Sequence, residues 1–382
     1  MKHPVYLDYA AATPVDDSVL AAMMPYFAKT FYNPSATYLA ARAVADDLQA
    51  ARSKVAYWLG ARPNEVLFTA GGTEANNLAI DGVMRQYPQA NIVVSSIEHD
   101  SVLAPAGQYT MRKVPVTHEG LIDLVKLEEA IDLKTALVSV MYANNEIGTI
   151  QPIREIMDII SRKRKQRLGH TLPLLFHTDA AQAGAYLDLH LHRLGVDLIT
   201  LNGGKIYGPK QSGALIIKAG TILKPLLLGG GQEWGLRSGT ENVAGSIGFA
   251  AALDLVQSRR KAEIERLQHL QSLFYQLLER ELPSAVVNGS RDHRLPNNVH
   301  VTFPGHDNER LMIQLDEAGI ICAAGSACSA SSEEPSHVLR AIGLSVADAQ
   351  ASLRFTMGIG TGEADIQATV RALSKLLSVT EV

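Results

Sequence analysis

From about Glu65 to Lys218 the chain alternates between short apolar runs and longer stretches of helical periodicity. Val66-Leu67-Phe68-Thr69, Ile92-Val93-Val94-Ser95, Leu137-Val138-Ser139-Val140, Leu174-Leu175-Phe176 and Leu198-Ile199-Thr200 are mostly apolar and partly β-branched. Runs of this kind predict strands buried on both faces. Between them, Glu74 to Arg85 and Ile153 to Arg164 predict helices. The alternation implies an α/β fold, a mainly parallel central sheet with helices on both faces. Ala214-Leu215-Ile216-Ile217 follows a Gly/Pro turn closely enough to be an antiparallel neighbour.

After Gly245 the pattern changes. Ile247 to Leu282 predicts one long helix or two, with charged residues opposite leucines such as Leu267, Leu270 and Leu277. A strand over Asn298 to Phe303, a helix from Glu309 and a last helix from Glu363 to Leu377 make up a smaller α+β unit. The expected division is a large domain over 15–258 and a small one from 1–14 and 259–382.

Composition narrows the function classes. With 47% hydrophobic and 19% charged residues the balance is that of a globular protein. A net charge of −4 gives no basic field for nucleic acid. No apolar stretch reaches the length of a membrane span, and the N-terminus lacks a signal-peptide layout. Two cysteines, Cys322 and Cys328, exclude a disulfide framework and point to a reducing, cytoplasmic setting.

Several polar clusters follow predicted strands, where open α/β sheets bind ligands. Gly71-Gly72-Thr73-Glu74 opens a helix, and its backbone N–H groups and Thr73 hydroxyl suit an anion; a purely structural helix cap fits as well. His99, in Glu98-His99-Asp100, can stack on a flat ring or move protons; a solvated loop histidine is the plainer account. Asp179 can hold a pyridinium nitrogen protonated, or simply cap the Ala180–Ala183 stretch. Lys205, between Gly203-Gly204 and Ile206-Tyr207, suits Schiff-base chemistry, though taken alone a solvated surface lysine is the plainer account. Their joint order, each after a strand, carries more than any one of them.

These residues sit in Phe68-Thr69-Ala70-Gly71-Gly72-Thr73-Glu74, Glu98-His99, Asn144-Asn145-Glu146-Ile147-Gly148, His177-Thr178-Asp179-Ala180-Ala181-Gln182, Lys205-Ile206-Tyr207-Gly208-Pro209, Arg237-Ser238-Gly239-Thr240 and Gly325-Ser326-Ala327-Cys328-Ser329. In these stretches the chain resembles cysteine desulfurases of the NifS/IscS type. They form part of the class V branch of fold-type I pyridoxal 5'-phosphate (PLP) enzymes. The resemblance runs from Tyr6 to about Gly358.

It implies that Lys205 attaches PLP, Asp179 pairs with the ring nitrogen and His99 stacks on the ring. Asn145 and Gln182 address ring substituents, and Gly72, Thr73, Asn202, Gly203 and Gly204 surround the phosphate. Thr240 reaches the phosphate of a second subunit, which implies a homodimer. Arg354, with Asn33 beside it, takes the carboxylate of L-cysteine. Cys328, among small and polar residues, attacks the substrate sulfur, leaving alanine and a persulfide for an acceptor such as an iron–sulfur scaffold or a tRNA-thiolating enzyme. Cys322 follows Ile320-Ile321 and reads as a core residue.

Two positions depart from the family pattern: Gly204 and Gln232 stand where histidine is usual. Another PLP lyase or aminotransferase, and an impaired scaffold or carrier, are the competing classes. Arg162 to Arg167 reads as a solvated basic helix end, and His190 with His192 completes no metal site.

Overall fold

The computed structural model describes residues 4–325 and 335–378. Cys328 therefore lies outside the described residues. Seven strands form the main sheet: β2 (Val66–Thr69), β3 (Asn91–Ser95), β4 (Thr110–Val114), β5 (Thr135–Ser139), β6 (Leu175–Asp179), β7 (Leu198–Asn202) and β8 (Gly213–Ile217), after a short β1 (Val5–Tyr6). Their spatial order is β2-β8-β7-β6-β5-β3-β4. Only β8 runs against the others, pairing antiparallel with β2 and β7. The carboxyl ends of the remaining strands thus share one edge.

Every residue of β2, β3 and β5 is buried, which is why these strands read as unbroken apolar runs. β4 was not expected. It lies at the sheet edge with Arg112 and Lys113 outside the core, and charge on an edge strand hides it from a hydrophobicity reading. The helices Gly72–Met84 and Ile153–Gln166 form where periodicity placed them.

The region after Gly245 is a single helix, Val243–Glu281, of 39 residues. Beyond it, β9 (Val286–Val287), β10 (Asn298–Thr302) and β12 (Ser352–Thr356) form an antiparallel sheet with β10 central. β11 (Ile320–Ile321) pairs parallel with β1, so the N-terminal segment joins this second unit. Cys322 is buried, as expected, and burial pushes its thiol up to about 12.

The basic run is only partly the solvated helix end anticipated: Arg162 and Lys165 are exposed, but two arginines are engaged. Arg164 donates to Leu174 O and pairs with Asp197. Arg167 is 6% exposed and donates to Thr135 O at 2.7 Å. Those arginines tie the helix to the sheet. Among the described residues no helix is long and apolar enough to cross a membrane, and no His/Cys/Asp/Glu cluster suits a metal ion.

Candidate active site

At the carboxyl edge of the main sheet a cleft of about 610 Å³ opens. Gly72, Thr73, His99, Asp179, Lys205 and Arg354 all line it. Asn145, Gln182 and Asn202 do so as well.

Asp179 is the last residue of β6, three positions beyond the end of the apolar run at Phe176. His177 and Thr178, though polar, are buried within the sheet. His177 bridges Ser139 Oγ and Thr200 Oγ1, and burial pushes its pKa down to about 4, so it is a neutral structural residue. The Asp179 carboxylate accepts from Ala181 N at 2.9 Å and from Asn76 Nδ2 at 2.7 Å. Asn76 Nδ2 also donates to Ser101 Oγ at 2.8 Å. Ser101 Oγ in turn lies 2.7 Å from His99 Nδ1, which accepts from Ser101 N at 3.0 Å. This relay fixes carboxylate and imidazole relative to each other. The contact with the Ser101 backbone makes Nδ1 an acceptor. Asn76 and Ser101 were missed from the sequence. Asn76 stands one helical turn from Gly72, a polar residue among the buried Ala75, Leu78 and Ala79, and that was the available signal.

Lys205 sits in the turn after β7. Its Nζ donates to Ala10 O at 2.7 Å and Ala11 O at 2.6 Å, and Gln182 Nε2 shares Ala10 O. The turn needs its glycine: a Cβ on Gly203 meets Ser212 Oγ at 2.2 Å. Gly71 precedes the helix at φ 122, a conformation open to glycine and strained for other residues. The helix then begins at Gly72, its unpaired N–H groups beside the Thr73 hydroxyl.

Arg354 lies in β12 with a side chain 2% exposed. Nη2 donates to Asp8 Oδ1 at 2.6 Å and Nη1 to Asn145 O at 3.0 Å, while among the described residues the buried Nε has no partner. Each Nη keeps a second proton, so the guanidinium retains donors for an incoming carboxylate. Asp8, 346 residues away in sequence, was not anticipated. Asn33 does not line the cleft as expected: it is exposed, and its Oδ1 accepts from Ser35 N in a local turn. Thr240 is exposed and also outside the cleft.

Glu98, beside His99, is fully buried. One oxygen accepts from Ser95 Oγ and Met141 N, each at 2.8 Å, and the other has no partner among the described residues. Burial outweighs those donors and pushes its pKa up to about 8. The unfolded carboxyl ionises near 4.5, so between these values the folded state holds the extra proton. Stability contributed by Glu98 is therefore lost as pH rises through roughly 5 to 8. Glu98→Gln is expected to flatten that part of the profile, its melting temperature gaining on the wild type as pH rises. Parallel melting curves for the two proteins across this range would contradict the protonated state.

The comparisons agree with this geometry. Residues 5–369 match the family model described as aminotransferase class-V. The chain is 40% identical over 384 residues to a cysteine desulfurase IscS of Dictyoglomus turgidum, covering 99% of this chain and 95% of that one. A solved NifS-like protein superposes with a TM-score of 0.91 at 31% identity, covering 98% of this chain and all (100%) of that one. A structure titled SspA in complex with cysteine gives 0.81 at 35% identity, over 92% and 98% of the two chains. The chain belongs to the cysteine desulfurase family. That family lies within the class V aminotransferases and depends on PLP, and the fold is that of PLP fold type I. The donor set fits PLP: an anion seat at Gly72-Thr73, a carboxylate at Asp179, a flat imidazole at His99 and an amine at Lys205.

Proposed function

We propose that the chain takes sulfur from L-cysteine, with PLP attached at Lys205, and leaves L-alanine and a persulfide on Cys328. The observation that supports it most is the meeting of Lys205, Asp179, His99 and the buried Arg354 in one cleft. PLP supplies the electron sink for this chemistry. Asp179 would keep the ring nitrogen protonated, and the Asn76–Ser101 relay would orient His99 toward the ring. Lys205 moves the substrate's α-proton. Asn145 and Gln182 meet the ring substituents, while Gly72, Thr73, Asn202, Gly203 and Gly204 surround the phosphate.

In the sulfur step the Cys328 thiolate attacks the substrate sulfur. An S–S bond forms, the substrate C–S bond breaks, and the thiol proton ends on the new methyl group of alanine. The segments flanking the undescribed residues both lie by the cleft. Ala323 pairs with Arg354 through two backbone hydrogen bonds. Ser336 donates to Glu146, and His337 contacts Glu98 O. The division 15–258 against 1–14 with 259–382 puts PLP and the attacking thiol on different units. A homodimer with Thr240 at the partner's phosphate, a protein acceptor in iron–sulfur assembly or tRNA thiolation, and a cytoplasmic location complete the reading.

Arg354→Lys tests the substrate assignment. Lysine keeps a cation for Asp8 but loses the planar fork. The KM for cysteine is expected to rise roughly 10- to 100-fold, the equivalent of one or two hydrogen bonds to a charged group. The absorption of bound PLP should stay as in the wild type. An unchanged KM would remove Arg354 from substrate binding.

A further inference from the structure

We infer that Lys210 supplies positive charge to the cofactor phosphate from beside Gly204, the position where histidine is usual. This rests on the PLP reading above.

Gly204 occupies the histidine position, and neither space nor backbone explains a glycine there. A Cβ on Gly204 meets nothing closer than 3.6 Å, and its φ is not in the left-handed region. What the substitution removes is a donor. The space next to that Cβ belongs to Lys210, whose Cγ is 3.8 Å and Cα 4.0 Å away. Lys210 lines a recess with Gly72, Thr73, Asn202, Gly204 and Lys205, on the phosphate side of the cleft.

The ammonium is held at this turn. Nζ donates to Thr13 O at 2.7 Å. Thr13 is itself fastened over Gly204, its N and Oγ1 donating to Gly204 O at 3.1 and 3.2 Å. One of the three ammonium protons is used on that neutral carbonyl, leaving two for an anion. Among the described residues no carboxylate pairs with Lys210, whereas Lys54, Lys126 and Lys218 each have one. The next residue, Gln211, is held at φ 58, a strained conformation for a non-glycine residue, and lines the same recess.

Asn202 is the other candidate. Its Oδ1 is taken by Gly204 N at 3.1 Å, and its Nδ2 lies 3.5 Å from a Cβ built on Gly72. That amide can donate to the phosphate but brings no charge. A helix N-terminus carries only about half a charge against the nearly two of a phosphate monoester. Lys210 is the cation placed to make up the difference.

The test is cofactor retention rather than turnover. PLP affinity and its rate of loss from the holoenzyme are measured for wild type, Lys210→Met, Gly204→His and the double variant. Uptake of pyridoxal, which lacks the phosphate, is measured alongside. Lys210→Met is expected to weaken PLP about tenfold or more, the loss of a charged hydrogen bond, and to leave pyridoxal unchanged. Gly204→His should recover most of that loss in the double variant while adding little to the wild type. Equal PLP retention by Lys210→Met and wild type overturns the inference. So does an equal loss of pyridoxal, which would make Lys210 a support for the Thr13 segment only. A wild-type protein that takes up neither compound overturns the cofactor reading itself, and this inference with it.

Discussion

Replacing Lys205 with alanine is expected to abolish turnover and the visible absorption of PLP attached to an amine. Lys205 Nζ is fixed by the Ala10 and Ala11 carbonyls at the mouth of the turn after β7, inside the cleft that also holds Asp179 and His99. Among the described residues no other lysine lines that cleft. Only a primary amine there can both hold the cofactor covalently and move the substrate proton, so activity should fall on the order of 10³-fold or more. PLP should still bind through its phosphate and ring contacts, weakly and without the covalent link. An alanine variant that keeps its absorption band and its activity would refute the assignment.

Cys328→Ser is expected to separate the two halves of the reaction. The proposed PLP contacts come from segments between Gly72 and Thr240, and Cys328 is not among them. The variant should bind PLP and change its spectrum on addition of cysteine. It should release almost no alanine, because a serine hydroxyl stays protonated at neutral pH and is a poor nucleophile toward sulfur. Cys322→Ser provides the contrast. That thiol is buried and held protonated by its surroundings, so turnover should be nearly unchanged, with some loss of stability from a hydroxyl in an apolar site. Near-normal alanine release by Cys328→Ser, or loss of it in Cys322→Ser alone, would move the protein to another lyase class.

How far the sequence led depended on how each element is satisfied. Strands β2, β3 and β8 were legible because their residues are apolar and buried on both faces. β6 and β7 were read short at their carboxyl ends. His177, Thr178 and Asn202 are polar, and their partners come from neighbouring strands and turns that a linear pattern does not show. β12 escaped for the same reason. An arginine in a buried strand looks like a break until Asp8 and Asn145 O are brought beside it. Asp179, His99 and Lys205 were singled out because each follows an apolar run in a recognisable motif, and the structure brings all three to one cleft. The relay that fixes two of them, through Asn76 and Ser101, joins residues from separate helices. Asn33 was assigned on resemblance alone, and its turn faces solvent instead.

The most direct test of the account is mass spectrometry of the intact wild-type protein, and of its peptides, after incubation with L-cysteine and PLP. The account predicts a product heavier by one sulfur atom, mapped to the peptide holding Cys328, with alanine formed in step. Alanine production with Cys328 unmodified, or the added sulfur on Cys322, would contradict it.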